Sequence, residues 1–582
     1  MRPGTGTPLV PLLASLVCLL LGSPAVAGLW DNPDQQQGDW KHFDQWGWII
    51  DTGGEWIYHA EHGWEYTVGD QQGSIWFYDM ELGWIWSGSS VYPYFFSPAL
   101  EDWLYFQEGR PDARLFHALN HNSWIDLRQK PANPPVLYPS TYAWRHTQFT
   151  ESEKHELLSY KLGSRNVVTT NFVTQVIENE LLRITLLPGW GARILSIYYK
   201  PRNMELLSYA KGDKYSSIIL ADGAFYYDNW LLLPGGINPT FPEGEHGKYW
   251  GETWEFESIE ETRDHVTVRM SRTDDLEWAG HPAKFNNGLT GMAVDMDITV
   301  PSNRACIEIT YTLTNNKNET IPYEFWMAAA LAPLPPEETA TSSNLEIIMK
   351  QEKIILRDWW NWMSSVETDD ESLHDDVYQF DKLAWLYNWQ GSGIAYAYPV
   401  TDNPWWGVIN HDYDWGVLRT IDDINMSPGM KIWGTGANYG MFELWSGNSS
   451  EFFVDAFLSP FEMKTWKEYF IPTVELSAIS YANSHGAAQV EMIPGDLTGQ
   501  IDLSVFSTWQ PANWKLEIVV IPEGGEAQLL GQAILNFSSS HPTEHLTFSF
   551  PMDDFPAGSF SIEAILSDVL TGNDRMRFQI DL

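Results

Sequence analysis

Glu243, Glu245, His246 and Glu252 crowd into one stretch, GGINPTFPEGEHGKYWGETW, residues 235–254, beside Trp250 and Trp254. An imidazole among carboxylates is suited to general acid–base chemistry, which needs both groups within hydrogen-bond reach of one substrate. The stretch follows neither a helical nor a strand period. Its glycines allow close backbone approach, and its prolines fix a loop that needs no ladder hydrogen bonds. The expectation is a loop that presents His246 with Glu243 or Glu245. Trp250 or Trp254 would serve as a plate for the apolar face of a sugar ring. The opposing reading leaves Glu243 and Glu245 solvated and makes His246 an internal brace.

Other residues could join such a site. Arg193 in GWGARI can pair with a sugar carboxylate or with a buried glutamate, and Asn238 could help neutralise a carboxylate. Glu324 and Trp326 lie in YEFW, where they alternate faces with Tyr323 and Phe325. His411 and Asp412 in NHDYDWG can line a cleft or brace a turn. No Ser-His-Asp pattern, phosphate loop or nucleotide fingerprint stands out, so no cofactor is expected. Beyond the leader the chain has a single cysteine, Cys306, in the alternating run RACIEITYTL, which reads as a buried strand position. One cysteine without a ligand cluster does not make a structural zinc site. The acidic run 367–381 has no calcium-loop signature and reads as a solvated excursion. No metal is expected.

Residues so far apart in the chain need a scaffold of strands to bring them together. From about Val167 the chain alternates apolar and polar positions, with breaks at Glu178-Asn179 and Pro188-Gly189. HVTVRM, MAVDMDITV and CIEITYTLTN continue the period of two. LEIIMKQEKIILRDWWNW has room for one short helix. Long antiparallel strands joined by irregular loops imply a large β-sandwich. After residue 472 the runs QIDLSVFS, WKLEIVVI, EHLTFSF and FSIEAILSD read as an immunoglobulin-like β-sandwich over 473–582.

The other end of the chain has a different texture. Residues 1–27 have the layout of a signal peptide, with an apolar run closed by small residues, so the protein is expected to be secreted, periplasmic or at the cell surface. No later segment is apolar enough to serve as a transmembrane helix. Residues 28–127 are rich in tryptophan. WIYHAEHGW, from Trp56, matches WFYDMELGW, from Trp76, at a spacing of 20 residues. A single hairpin of this kind cannot bury its own face, so stacked hairpins are implied. The four prolines of RQKPANPPVLYPS make 128–166 read as a linker. The pattern of 28–127 resembles the tryptophan-rich repeats of bacterial cell-wall and choline-binding modules. That resemblance implies attachment to a cell wall or envelope, against a plain aromatic-cored spacer.

Charge narrows the partners. Lys and Arg number 34 against 77 Asp and Glu, a formal net charge of −43. Such a surface repels nucleic acid and disfavours capture of other polyanions. The 44% hydrophobic content excludes a disordered acidic chain.

Residues 167–472 resemble galactose-mutarotase-like domains, in a secreted bacterial branch of the aldose epimerase superfamily. The likeness is carried by VIENELLRITLLPGWGARILSIYYKPRNMELL, ITYTLTNNKNETIPYEFWMAAAL, INHDYDWGV, and YGMFELWSG with the LSPFEMKTWKEYFIPT that follows. It implies an antiparallel β-supersandwich with a sugar cleft, a carboxylate base on a late strand and a histidine acid. Glu443 in GMFELWSG matches the base. The strand that should hold the histidine reads PYEFWMAAAL and has none. The implied partner is a carbohydrate, with Glu443, His246 and Glu245 as the acid–base set. An epimerase, a glycosidase pairing Glu443 with Glu245, and a lyase using His246 with Arg193 or Asn238 all stay open. So do a non-catalytic sugar-binding protein, favoured by the missing histidine, and an envelope protein.

Overall fold

The computed structural model describes residues 30–69, 73–79, 82–108, 114–121, 123–126, 134–147, 167–208, 235–243, 247–276, 288–338, 342–356, 377–381, 383–388, 393–398, 405–421, 429–434, 441–493, 498–522, 527–551, 560–569 and 571–581. The described residues are mainly β, without an α-helix. The chain divides into two compact units between Asn120 and His121, a few residues before the expected boundary. The expected leader lies outside the described residues, as do Glu245 and His246. No described helix is long and apolar enough to cross a membrane.

The first unit is a meander in which strands from Gln35–Gln37 to Leu115–Ala118 each pair antiparallel with the next. Alternation sets its two faces. Ile57, Phe77, Ile85, Phe95 and Leu104 point inwards and are fully buried, whereas Trp56, Trp64, Trp76 and Trp84 point outwards. The matching segments take the same geometry. Tyr58 opposes Trp64 and Tyr78 opposes Trp84. Both ring pairs have centroids 5.3 Å apart and lie near perpendicular.

The second unit is built on two large antiparallel sheets. A 12-stranded sheet starts at its edge with Val136–Thr147 and Val167–Glu178, and Arg193–Tyr199, Trp326–Leu334, Phe442–Gly447, Gly429–Gly434 and Gly393–Tyr398 lie further in. An eight-stranded sheet contains His265–Thr273, Met292–Pro301, Ile307–Asn315, Met463–Val474 and Trp415–Ile421. Residues of both sheets meet in one core, with Ile184, Ile194, Met327 and Leu444 from the first and Val268, Met296, Ile309 and Leu418 from the second. Strict alternation in Met292–Pro301 shows why this folds as a layer: every second side chain is buried. Beyond it, two four-stranded antiparallel sheets enclose a separate core around Trp514, Leu516 and Leu566, forming the C-terminal sandwich.

Three expectations are corrected here. The linker placed at 128–166 contains a 12-residue strand, Val136–Thr147, paired along its length with Val167–Glu178. Pro139 fits because this is an edge strand, where a missing N–H breaks no ladder. The boundary after residue 472 is crossed by Met463–Val474, and the C-terminal sandwich belongs to the same compact unit. Of the run with room for one short helix, Leu345–Met349 and Lys353–Leu356 are strands, since β-branched and aliphatic residues suit both, and residues 357–362 lie outside the described residues.

Candidate functional site around Glu443

Phe442–Gly447 lies between Trp326–Leu334 and Gly429–Gly434. Its alternation sorts the side chains. Phe442 and Leu444 enter the core between the sheets, whereas Trp445 joins a separate aromatic cluster with Trp250, Trp326, Ala328, Ile394, Tyr396 and Phe452. Glu443 shares the parity of Trp445, on the face turned away from the core. It keeps partial solvent access on a strand that is otherwise buried. Gly447 is needed there, because a Cβ would lie 2.3 Å from the Trp326 ring.

Two cations and an indole surround the carboxylate. The Trp445 indole N–H donates to Glu443 Oε2 at 3.0 Å. Lys431, buried and directly opposite Trp445 in the ladder, holds Nζ 3.8 Å from that ring's centroid and 4.3 Å from that of Phe452. Burial raises the Glu443 pKa above the usual carboxylate value, opposed by Lys431, the Trp445 N–H and Arg193. The net direction is upward, as burial shifts carboxylates in general.

Arg193 opens the strand Arg193–Tyr199 and is fully buried. Its Nη1 donates to the Gly235 carbonyl, and its guanidinium lies 5.1 Å over the Trp250 ring. Nε and Nη2 find no hydrogen-bond partner among the described residues. Burial lowers its pKa to about 9, while Glu443 and Tyr142 favour its charge. Two glycines make this packing feasible. A Cβ on Gly191 would meet the Trp250 carbonyl oxygen, and one on Gly236 would come within 3.0 Å of the Arg193 side chain. Gly191 N also donates to Glu252 O at 2.8 Å, docking the segment that carries Trp250.

The other candidates separate into groups. Asn238 is buried opposite Ala328 on Ile237–Thr240, beside the strand that flanks Glu443, and its Nδ2 has no partner among the described residues. Glu243 is buried rather than solvated. Trp250 belongs to the aromatic cluster, with its ring 6.2 Å from Trp445. Glu324 and Trp326 are both buried and brace each other. Glu324 Oε2 accepts the Trp326 N–H at 3.1 Å and the Phe453 N–H at 2.9 Å, pinning the loop after Gly447.

Two expectations are overturned. Trp254 is a core residue, not a plate for a ligand: it packs edge-on against Phe241 between the sheets and donates to the Tyr249 carbonyl. His411 belongs to a turn of the eight-stranded sheet, where its Nε2 lies 2.7 Å from Glu346 and its ring stacks on Trp385. It is a turn brace and, among the described residues, shares no hydrogen-bond partner with Glu443. Lys431 and Trp445 were not singled out from the sequence. The one signal was a lysine inside the apolar strand GMKIWG.

No protein-family model matches the chain, and no curated protein matches it. Solved structures are similar in part. One is a TPR-domain containing protein from Parabacteroides distasonis, with 13% identity and a TM-score of 0.43, covering 60% of this chain and 59% of that one. This chain thus spans about three-fifths of that relative's length. A galactose mutarotase-like protein from Clostridium acetobutylicum has 10% identity and a TM-score of 0.37, covering 57% of this chain and 98% of that one. Another from Lactobacillus casei has 11% identity and a TM-score of 0.34, with 52% and 100% covered.

Proposed function

We propose that the second unit binds a sugar on the outer face of its 12-stranded sheet, with Glu443 as the proton acceptor of an acid–base reaction. The observation that carries this reading is Glu443 itself: a partly accessible carboxylate, raised in pKa, held by an indole N–H and faced by two buried cations. The sequence motifs around it support the same assignment, because GMFELWSG is where mutarotase-like domains carry their base. In an epimerase reaction, Glu443 takes the proton of the anomeric hydroxyl as an acid protonates the ring oxygen. The ring C–O bond opens, and closing on the other face inverts the anomeric carbon. His246, with Glu245 beside it, is the proposed acid. Arg193 and Asn238, with N–H groups unpartnered among the described residues, are proposed to hold substrate oxygens, with Trp250 against Arg193 and Glu243 as a further contact. Secretion is part of the same proposal.

A non-catalytic sugar-binding protein is the second reading, favoured by the absence of a histidine in PYEFWMAAAL. Glu443→Gln separates the two. It removes the proton acceptor and keeps the shape. For an enzyme, polarimetric turnover of a bound aldose should fall about a hundredfold or more with affinity nearly intact. For a binding protein, no wild-type turnover is found and the substitution alters affinity alone.

A further inference from the structure

We infer that the outer face of the N-terminal meander is a binding platform for an extended, uncharged polysaccharide. It is separate from the Glu443 site and rests on its own observations. Ladder register turns the sequence alternation into rows of rings across the strands. Trp56 opposes Tyr66, Tyr66 opposes Tyr78, and Tyr78 opposes Trp84, so four adjacent strands each contribute one aromatic side chain to one row. A parallel row runs through Trp76, Trp86, Phe96 and Trp103. Trp56, Tyr78 and Trp84 of the first row and Trp76 of the second are exposed, the other ring residues of the two rows are half-buried, and beside them Trp64 on the same face is 52% exposed. Isolated exposed aromatics need no explanation, but a contiguous apolar face does.

The charge distribution identifies the occupant. Between Trp40 and Phe106, the strand positions on this face hold no Asp, Glu, Lys or Arg, in a chain with a net charge of −43. The carboxylates of these strands are turned the other way: Glu65, Asp79 and Asp102 are buried on the inner face, and half-buried Asp51, of the same parity as buried Ile49, pairs with Lys41 at 2.6 Å. A face without charge cannot bind a polyanion by attraction. The acidic remainder of the molecule repels nucleic acid, anionic membranes and further copies of the same chain. What fits is a ligand with no net charge, apolar faces and many hydroxyls. Indole and phenol rings offer a flat apolar surface with a polar edge, complementary to the C–H faces and hydroxyl rims of sugar rings. The rings touch one another across the strands, with centroids 5.5 Å apart for Trp56 and Tyr66, 5.3 Å for Tyr78 and Trp84, and 6.2 Å for Tyr66 and Trp84. Neighbouring rings meet edge to face, so the row presents both ring faces and ring edges across the strands.

Depletion of the full-length protein from solution by microcrystalline cellulose, chitin and insoluble mannan tests this. We expect retention on at least one of these, undiminished in 1 M NaCl because no charge is involved. Trp64→Ala/Trp84→Ala should reduce that retention by about tenfold or more, as loss of exposed aromatic anchors does. The near-ultraviolet circular dichroism arising from buried rings should persist. A Trp64→Tyr/Trp84→Tyr variant should regain most of the binding. The same alanine variant should leave turnover or binding of a soluble sugar at the Glu443 site unchanged, so failure of either site can be told from failure of the other. The inference is overturned if the wild type binds none of the three polysaccharides, or if the alanine variant binds as well as the wild type. It is equally overturned if sedimentation shows that the wild type is a dimer that those substitutions dissociate, or if uncharged lipid vesicles retain the protein where the polysaccharides do not.

Discussion

Burial raises the pKa of Glu443, while Lys431, the Trp445 indole N–H and Arg193 each lower it. A general base acts in its ionised form, so activity should be lost as pH falls through the raised value. Lys431→Met removes the largest opposing influence and keeps an unbranched side chain against the Trp445 ring. The folded-state pKa of Glu443 then rises further. The acid limb of the pH–rate profile, or of sugar binding if there is no turnover, should move to higher pH. An unmoved limb would show that Lys431 serves only as packing. At this scale the sequence was legible in part. Glu443 stood out through its motif and Arg193 through GWGARI. Lys431 did not, because its role comes from ladder register with Trp445, a relation that linear spacing does not express. Trp254 misled for a related reason: the aromatic that offers a sugar plate is also the one that fills a core, and only its facing decides.

At the scale of elements, the strand carrying Glu443 is fixed from behind. Arg419 on Trp415–Ile421 donates to the Leu444 carbonyl at 3.2 Å and the Met327 carbonyl at 3.1 Å, to Ser446 Oγ, and to Glu468. Ser446 and Trp466 also donate to Glu468. This network is buried between the sheets and ties the eight-stranded layer to the backbone under the candidate site. Removing one member leaves the other charge buried and alone. Arg419→Met should therefore destabilise the second unit by about 3–5 kcal/mol, measured by denaturant unfolding. Arg419→Met/Glu468→Leu should recover much of that loss. A double variant no more stable than the single one would mean that the carbonyl contacts, and not the ion pair, dominate. The strands themselves were readable from their period of two, as in MAVDMDITV, and the Asn179 turn from its position between two runs. Asn179 Oδ1 accepts the N–H groups of Leu181 and Leu182. The proline-rich edge strand was not readable, because proline carries one meaning in a linker and another where a sheet ends.

At the scale of the whole molecule, the division into two units means that a perturbation confined to one should separate their melting transitions. The first unit contains such a perturbation on its inner face. His59 and His62 stack with ring centroids 3.8 Å apart, and His62 Nδ1 lies 3.2 Å from Glu65 Oε1. Burial, with smaller electrostatic contributions, lowers both histidines from 6.5 to about 3 and raises Glu65 from 4.5 to about 8. The folded unit thus holds all three neutral across the intervening range. Between pH 4.5 and 6.5 the unfolded chain binds two histidine protons while the folded unit retains the one on Glu65. Unfolding there takes up net protons, and stability rises with pH. Between 6.5 and about 8 the unfolded chain has released all three protons while folded Glu65 still holds its own, so stability falls. The first unit should therefore be most stable near pH 6.5, with its calorimetric transition moving down on either side. Glu65→Gln keeps the shape and abolishes the alkaline decline while leaving the acid decline in place. A transition that shifts with pH in the variant as it does in the wild type would show that the alkaline decline does not come from Glu65.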